Sequence, residues 1–420
     1  MDRFIIKGGR ELKGKLSASG AKNASLPILA ASLLTTGETV VRNCPDVADV
    51  RYMIKVLEYL GAEVSFRGNT ARINVPDKLK TTAPYELVRK MRASYYVLSP
   101  LIGKKRRAKL SLPGGCAIGE RPIDLHIRGF KALGCSVDLE HGYINVQCPK
   151  LKGNEVFLEG RHGTSMGATI NVMMASVLAE GETVLKGAAL EPEVGAVALF
   201  LNEMGADIEG IDSPILKISG VDKLRPVEFD VIPDRIESAT MLAAASITGG
   251  ELTLNNTKPR HYSTVIEKFR EMGDSIEIDE NTVHLKSMKA KKPIEVNVLP
   301  YPYFPTDTQA QFMSILTTAE GISTITENVF TKRFMHVPEL KRMGADIHLR
   351  DNTAVIKGVK KLSGAPVMAS DLRASAALVI AGLVADGETE IKRIYHIDRG
   401  YENIEKKLRR IGADIRRFRK

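Results

Sequence analysis

Two rhythms of apolar and polar residues alternate along this chain. In the first, an amphipathic stripe at helical spacing ends at a glycine and passes directly into the strict alternation of a strand. It reads Leu60-Gly61-Ala62-Glu63-Val64, then Leu133-Gly134-Cys135-Ser136-Val137, Met204-Gly205-Ala206-Asp207-Ile208 and Met272-Gly273-Asp274-Ser275-Ile276. Met343-Gly344-Ala345-Asp346-Ile347 and Ile411-Gly412-Ala413-Asp414-Ile415 complete the series, at intervals of about 70 residues. A left-handed glycine after the last helical turn is the usual stop signal, so six helix–strand junctions are predicted.

The second rhythm belongs to helices that are apolar or small on nearly all sides, at 24–34, 166–178, 236–247 and 374–384. A helix of that kind is buried. Six such helices are expected to stop at Gly37, Gly103, Gly181, Gly250, Gly321 and Gly387. Most stops lead into a strand, as in Glu182-Thr183-Val184-Leu185. Each unit of about 70 residues thus holds one buried helix, one amphipathic helix and several strands. That is too long for a solenoid repeat of 20–45 residues. The expected class is α/β, with six repeats divided into two domains of three and a boundary near 226–232.

The starts of the buried helices carry residues that helix formation alone does not ask for. They read Gly20-Ala21-Lys22-Asn23, Met91-Arg92-Ala93-Ser94, Thr164-Ser165-Met166-Gly167, Asp234-Arg235, Thr306-Asp307 and Asp371-Leu372-Arg373. Asp, Ser and Thr are ordinary N-caps. Lys22, Arg92, Arg235 and Arg373 put cations at the positive end of a helix, which costs some tenths of a kcal/mol. Either an anion gathers there, held by backbone N–H groups and these cations, or each cation is solvated or paired with a nearby Asp.

Composition narrows the class. The chain has 420 residues, 60 Lys+Arg against 50 Asp+Glu and a formal charge of +10, which suits an anionic substrate at least as well as nucleic acid. The longest apolar runs, at 25–34 and 376–385, are about half the roughly 20 residues of a membrane helix. The N-terminus turns polar after Ile5-Ile6, so no signal peptide is expected, and neither is a membrane partner. The four cysteines form no CxxC pair, and the eight histidines are scattered. No disulfide framework, metal or cofactor is expected, and a reducing cytoplasm is the natural setting.

One cysteine has an unusual context. Leu112-Pro113-Gly114-Gly115-Cys116-Ala117-Ile118-Gly119-Glu120-Arg121-Pro122 is rich in turn residues, whereas free cysteine is normally buried. Cys116 is either an incidental thiol or one activated by Arg121, since a neighbouring cation lowers a thiol pKa. Cys44, Cys135 and Cys148 lack this setting and read as packing residues.

These stretches are similar to the enolpyruvyl transferases, in the branch that acts on UDP-N-acetylglucosamine. The resemblance is carried by 20–24, 91–94, 113–116, 119–126, Phe304-Pro305-Thr306-Asp307, 333–340, 371–375 and His396-Ile397-Asp398-Arg399-Gly400-Tyr401, in order across most of the chain. It implies two inside-out α/β barrels of three repeats each, with residues 1–21 returning to the C-terminal domain. The domains would be 22–232, with the Cys116 loop, and 1–21 plus 233–420, with the active site in the cleft between them.

The resemblance also implies the chemistry and the site. Phosphoenolpyruvate would donate its enolpyruvyl group to the 3′-hydroxyl of UDP-N-acetylglucosamine through a tetrahedral ketal, releasing phosphate, as the opening step of peptidoglycan synthesis. Asp307 matches the general base, and Cys116 the proton donor, which forms an adduct and is alkylated by fosfomycin. Lys22, Asn23, Arg121, Arg373 and Arg399 match the phosphoenolpyruvate-binding groups, with Asp371 lining the same site; Lys22 and Arg399 also serve catalysis. Asn23, Arg92, Arg121, Pro122, Ile123, Asp124, Leu125, Thr164, Ser165, Gly167, Asp307 and Val329 match contacts to the nucleotide sugar. Repeat four departs from the pattern at Arg260-His261-Tyr262-Ser263. No cofactor, metal or nucleic acid is implied, and the protein would be a monomer or weak homo-oligomer. The alternatives are a 5-enolpyruvylshikimate-3-phosphate synthase, which lacks the Gly-Ala-Lys-Asn-Ala context and the Cys loop, and a non-catalytic paralogue that uses a basic face on nucleic acid.

Overall fold

A computed structural model describes residues 2–89, 91–111, 123–160 and 163–419. The chain divides into two compact units. One takes residues 2–19 and 233–419; the other takes the described residues of 20–232. The change from one unit to the next is pinned locally. The Ala21 N–H donates to the Ile232 carbonyl at 2.7 Å, while the Asp234 N–H donates to the Ser19 carbonyl at 2.8 Å. Gly20 lies so close to the Asn43 carbonyl that no side chain fits there. The division therefore falls after Ser19, so Gly20 and Ala21 belong with residues up to 232.

Among the described residues there are six four-stranded sheets and one two-stranded ribbon. Each larger sheet has one parallel pair followed by two antiparallel neighbours, as in Glu228–Asp230, Gly37–Arg42, Thr70–Val75 and Glu63–Arg67. Among the described residues no sheet closes on itself: all six are open, so the barrels implied by the resemblance are not seen there as closed rings of hydrogen-bonded strands. Strand burial alternates, as in Ile215–Ser219, so each sheet turns one face to a core and one to solvent. The N-terminal strands complete sheets of the first unit. Arg3–Lys7 lies between Glu388–Lys392 and Asp414–Phe418, and Lys13–Ser17 runs parallel to Glu251–Asn255.

The buried helices are Lys22–Ala31, Leu98–Lys105, Met166–Ser176, Arg235–Ile247, Gln309–Leu316 and Leu372–Gly382. All of Arg235–Ile247 is buried. Their small polar residues survive burial by donating to the carbonyl four residues back: Ser25 to Ala21, Ser176 to Val172 and Thr240 to Ile236, at 2.7–2.9 Å. Each unit has its own apolar core. In the first unit, Lys291 and Asp274 form a nearly inaccessible ion pair (2% and 0% exposed), which Ser246 and Ser287 join by hydrogen bonds.

The six glycines of the helix–strand junctions all adopt left-handed φ, from 86° at Gly134 to 116° at Gly61. The second series is less regular. Gly37, Gly181, Gly321 and Gly387 are left-handed, but Gly249 takes that role instead of Gly250. Gly103 is no stop at all. It lies inside the helix Leu98–Lys105, where a Cβ would meet Leu34 at 3.2 Å, and Arg106 supplies the left-handed residue with φ 57°. There glycine serves close packing rather than chain reversal. Among the described residues, no helix is long and apolar enough to cross a membrane. Cys44, Cys135 and Cys148 are buried.

Candidate active site

In the unit containing Asp307, the carboxylate sits between two buried arginines. Asp307 lies in the short 3₁₀ turn Thr306–Thr308 that leads into Gln309–Leu316. Its Oδ1 accepts from Arg333 Nη1 at 2.8 Å, and its Oδ2 from Arg373 Nη2 at 2.8 Å. Both guanidinium side chains are 6% exposed and the carboxylate 27%. Burial alone would raise the Asp307 pKa, but attraction to Arg373 and Arg333 outweighs it and holds the carboxyl well below the usual range.

The clamp is embedded in a wider network. Arg373 also donates to the Tyr401 hydroxyl at 3.1 Å, which shares a 2.8 Å hydrogen bond with Thr240. Gln311 Nε2 donates to the Asp307 backbone carbonyl at 2.9 Å and reaches Tyr401. On the other side, Arg333 donates to Thr306 Oγ1 at 3.0 Å, and that hydroxyl donates to Glu327 Oε2 at 2.8 Å. Glu327 Oε1 accepts from the backbone N–H groups of Val329 and Phe330, both at 2.9 Å, and so fixes the turn that carries Val329. Burial raises the Glu327 pKa against these hydrogen bonds. Asp371 caps Leu372–Gly382, with Oδ1 accepting from the N–H groups of Arg373 and Ala374. Arg399 ends the short helix Ile394–Arg399 and is half-buried.

The other unit holds the remaining residues. Lys22 opens Lys22–Ala31, and its Nζ donates to Asp49 Oδ2 at 3.1 Å; the two side chains are 13% and 2% exposed. Asn23 follows it, half-buried. Arg92 begins the 3₁₀ segment Arg92–Val97, its guanidinium 5.9 Å from the centre of the Tyr95 ring. Ile123 packs against the core, Asp124 is exposed at the start of Asp124–Ala132, and Leu125 is buried. Thr164 ends the ribbon strand Gly163–Thr164, and Ser165 caps Met166–Ser176 by accepting from the Ala168 N–H. Gly167 faces His126, whose Nε2 would lie 3.4 Å from an added Cβ. Cys116, Arg121 and Pro122 lie outside the described residues.

The cations at the helix starts thus have partners within their own units. Lys22 and Arg373 pair with carboxylates, while Arg92 and Arg235 lie over tyrosine rings. Sequence reasoning missed Asp49 and Arg333. Asp49 reads as an ordinary acid in the first turn of a helix. Arg333 lies in a stretch that carries the resemblance, but its contact with Asp307 is 26 residues away and follows from the fold.

Comparisons with known proteins show the family of the chain. The model of the EPSP synthase (3-phosphoshikimate 1-carboxyvinyltransferase) family matches residues 6–408. The chain is 51% identical over 417 residues to UDP-N-acetylglucosamine 1-carboxyvinyltransferase of Desulfosudis oleivorans, covering 99% of each chain. It belongs to that family. Its Geobacter metallireducens counterpart is 50% identical over 419 residues, covering 100% of each chain. The fold of this family member is that of the enolpyruvyl transferase NikO from Streptomyces tendae, with a TM-score of 0.90 at 24% identity over 99% of this chain and 98% of that one. EPSP synthase from Acinetobacter baumannii superposes with a TM-score of 0.76 at 19% identity, covering 100% of both chains.

Proposed function

We propose that the protein transfers the enolpyruvyl group of phosphoenolpyruvate to the 3′-hydroxyl of UDP-N-acetylglucosamine and releases phosphate. The observation that carries this reading is the identity of about one residue in two, end to end, with relatives of that name. The sister reaction on shikimate 3-phosphate is less favoured, because the EPSP synthase structure is only 19% identical. The reaction would be the first committed step of peptidoglycan synthesis, in the cytoplasm, by a monomer or weak homo-oligomer. We also infer six repeats, three per unit, in the inside-out barrel arrangement; the six sheets of like strand order support this.

The sugar oxygen attacks C2 of phosphoenolpyruvate while its proton passes to Asp307 and C3 takes a proton from Cys116. Loss of a C3 proton and cleavage of the C2–O bond to phosphate then yield the enol ether. Lys22, Asn23, Arg121, Arg373 and Arg399 hold phosphoenolpyruvate, and the nucleotide sugar meets Arg92, 121–125, Thr164, Ser165, Gly167, Asp307 and Val329. The Asp307 clamp adds a condition. A carboxylate neutralised by two guanidinium groups is a weak base. The anionic substrate competes for the same arginines, so its arrival loosens the clamp and raises the basicity of Asp307 when a base is needed.

The test is phosphate release from phosphoenolpyruvate with UDP-N-acetylglucosamine, with shikimate 3-phosphate and with no acceptor. Release with the UDP-sugar alone is expected. Release with shikimate 3-phosphate, or none with either, would overturn the reading.

A further inference from the structure

Away from all of these residues, the unit that begins at Gly20 carries a groove of about 610 Å³. Four cations line it: Lys78, Lys105, Arg106 and Arg107. Among the described residues none of the four forms an ion pair. The nearby acids are engaged otherwise: Asp77 accepts from Thr36 through its side chain and from Lys105 through its backbone carbonyl, and Glu180 pairs with Lys150. Leu79 and Pro149 add apolar surface. The volume falls within the range of small-molecule sites, roughly 300–1,000 Å³.

A second observation comes from the backbone. The comparable helix stops use left-handed glycine at 37, 181, 249, 321 and 387. Here the left-handed residue is Arg106, with φ 57°, a conformation that disfavours a side chain. Its guanidinium donates to the Leu178 carbonyl through both Nη atoms, at 3.4 and 3.3 Å, which anchors it at the groove. A strained arginine, kept where glycine would serve, places a fourth positive charge beside three that form no ion pair among the described residues. Repulsion among four clustered cations is relieved by a polyanion, and guanidinium and ammonium donors match phosphate oxygens.

We propose that this groove binds a phosphorylated small molecule carrying two or more negative charges, at a place separate from the enolpyruvyl-transfer residues. The diphosphate is the recognised chemistry, and an inorganic or a nucleotide source would satisfy it equally well at the cations.

The test uses the full chain with labelled leucine methyl groups, titrated separately with pyrophosphate and ADP at constant ionic strength. The Leu79 methyl signals are expected to shift saturably. Half-saturation should rise at least tenfold in Lys78→Glu/Arg107→Glu, and less in Lys78→Gln/Arg107→Gln, which guards against misfolding of the charge reversal. In Lys109→Glu, a control outside the groove, it should stay within twofold of wild type. Tighter ADP than pyrophosphate assigns a nucleotide source, and equal affinity an inorganic one. Phosphate release at saturating substrates should stay within twofold in both double variants. Leu79 signals that do not move, that follow sodium chloride equally, or that saturate alike in wild type and charge reversal would overturn the proposal. So would a tenfold loss of turnover in both double variants, which would assign the groove to the reaction itself.

Discussion

Replacing Asp307 by Asn tests the clamp and the proposed base together. The amide keeps the shape of the carboxylate, so its Oδ1 can still accept from one guanidinium. Its Nδ2 then faces the other guanidinium donor to donor. One charge-assisted hydrogen bond, about 1.5–3 kcal/mol, is lost outright, and Arg333 and Arg373, both 6% exposed, lose their shared counter-charge. Breaking a buried pair from one side costs about 3–5 kcal/mol; the 27% exposure of Asp307 favours the lower end, about 3 kcal/mol. At about 2–4 °C per kcal/mol for a unit of this size, the melting temperature should fall by about 6–12 °C at pH 7. Added inorganic phosphate should restore more of the melting temperature in the variant than in wild type, because an anion can replace the missing charge. Turnover should fall by about 10²–10⁴ while UDP-N-acetylglucosamine still binds, since an amide can position the sugar but cannot take its proton. Calorimetric melting with and without phosphate, isothermal titration and the phosphate-release assay cover these points. An unchanged melting temperature would refute the clamp energetics, and near-normal turnover would remove Asp307 from the mechanism.

Asp49→Asn should lower kcat/KM for phosphoenolpyruvate about tenfold, because Lys22 loses the carboxylate that orients its ammonium; steady-state kinetics that do not change would exclude that role. Asp274→Ala should destabilise its unit by about 3–5 kcal/mol in urea melts, while Asp274→Leu/Lys291→Met should recover most of the loss, because the uncompensated charge is then gone. Burial depresses the pKa of His126 and of His336 to about 4, so the unfolded chain binds more protons than the folded one between pH 6.5 and 4. Stability should accordingly fall by about 2 kcal/mol per histidine between pH 7 and pH 5, and denaturant melts of His336→Phe should show a shallower loss. Cys116→Asp should stay active yet resist fosfomycin, and Cys116→Ser should lose most activity. Intact-mass analysis should find one adduct on wild type and none on Cys116→Asp, and labelling of Cys44, Cys135 or Cys148 instead would contradict the assignment.

What could be read from the sequence was local. A helix that ends at Gly61 or Gly344 and enters an alternating strand announces itself within a few residues, because chain reversal there needs left-handed backbone. The buried helices were equally plain from their small apolar residues. Gly103 misled because a glycine can be kept for close packing as well as for a turn, and only the contact with Leu34 distinguishes them. The carboxylate partners of Lys22 and Arg373 were left open, because those contacts span 27 and 66 residues of chain and no periodicity encodes them. Resemblance supplied Asp307 and Arg373 as separate residues. That Arg333 joins them in one clamp depends on the fold.

The pairing of Arg3–Lys7 with Glu388–Lys392 and Asp414–Phe418 has a consequence for biosynthesis. A ribosome adds about 5–20 residues per second, so Arg3–Lys7 waits about 20–80 s for the strands that complete its sheet. The described residues of 20–232 form a unit with its own apolar core, free to fold during that wait. Meanwhile Phe4-Ile5-Ile6 is a nascent strand with no neighbour, the kind of segment that associates with other chains. Arg3 and Lys7 flank it, and Lys13 and Lys15 punctuate the second strand. In the finished protein Arg3 pairs with Glu390 and Lys13 with Glu11. On the growing chain these cations act as gatekeepers, keeping the first strands made soluble until the strands they pair with have emerged.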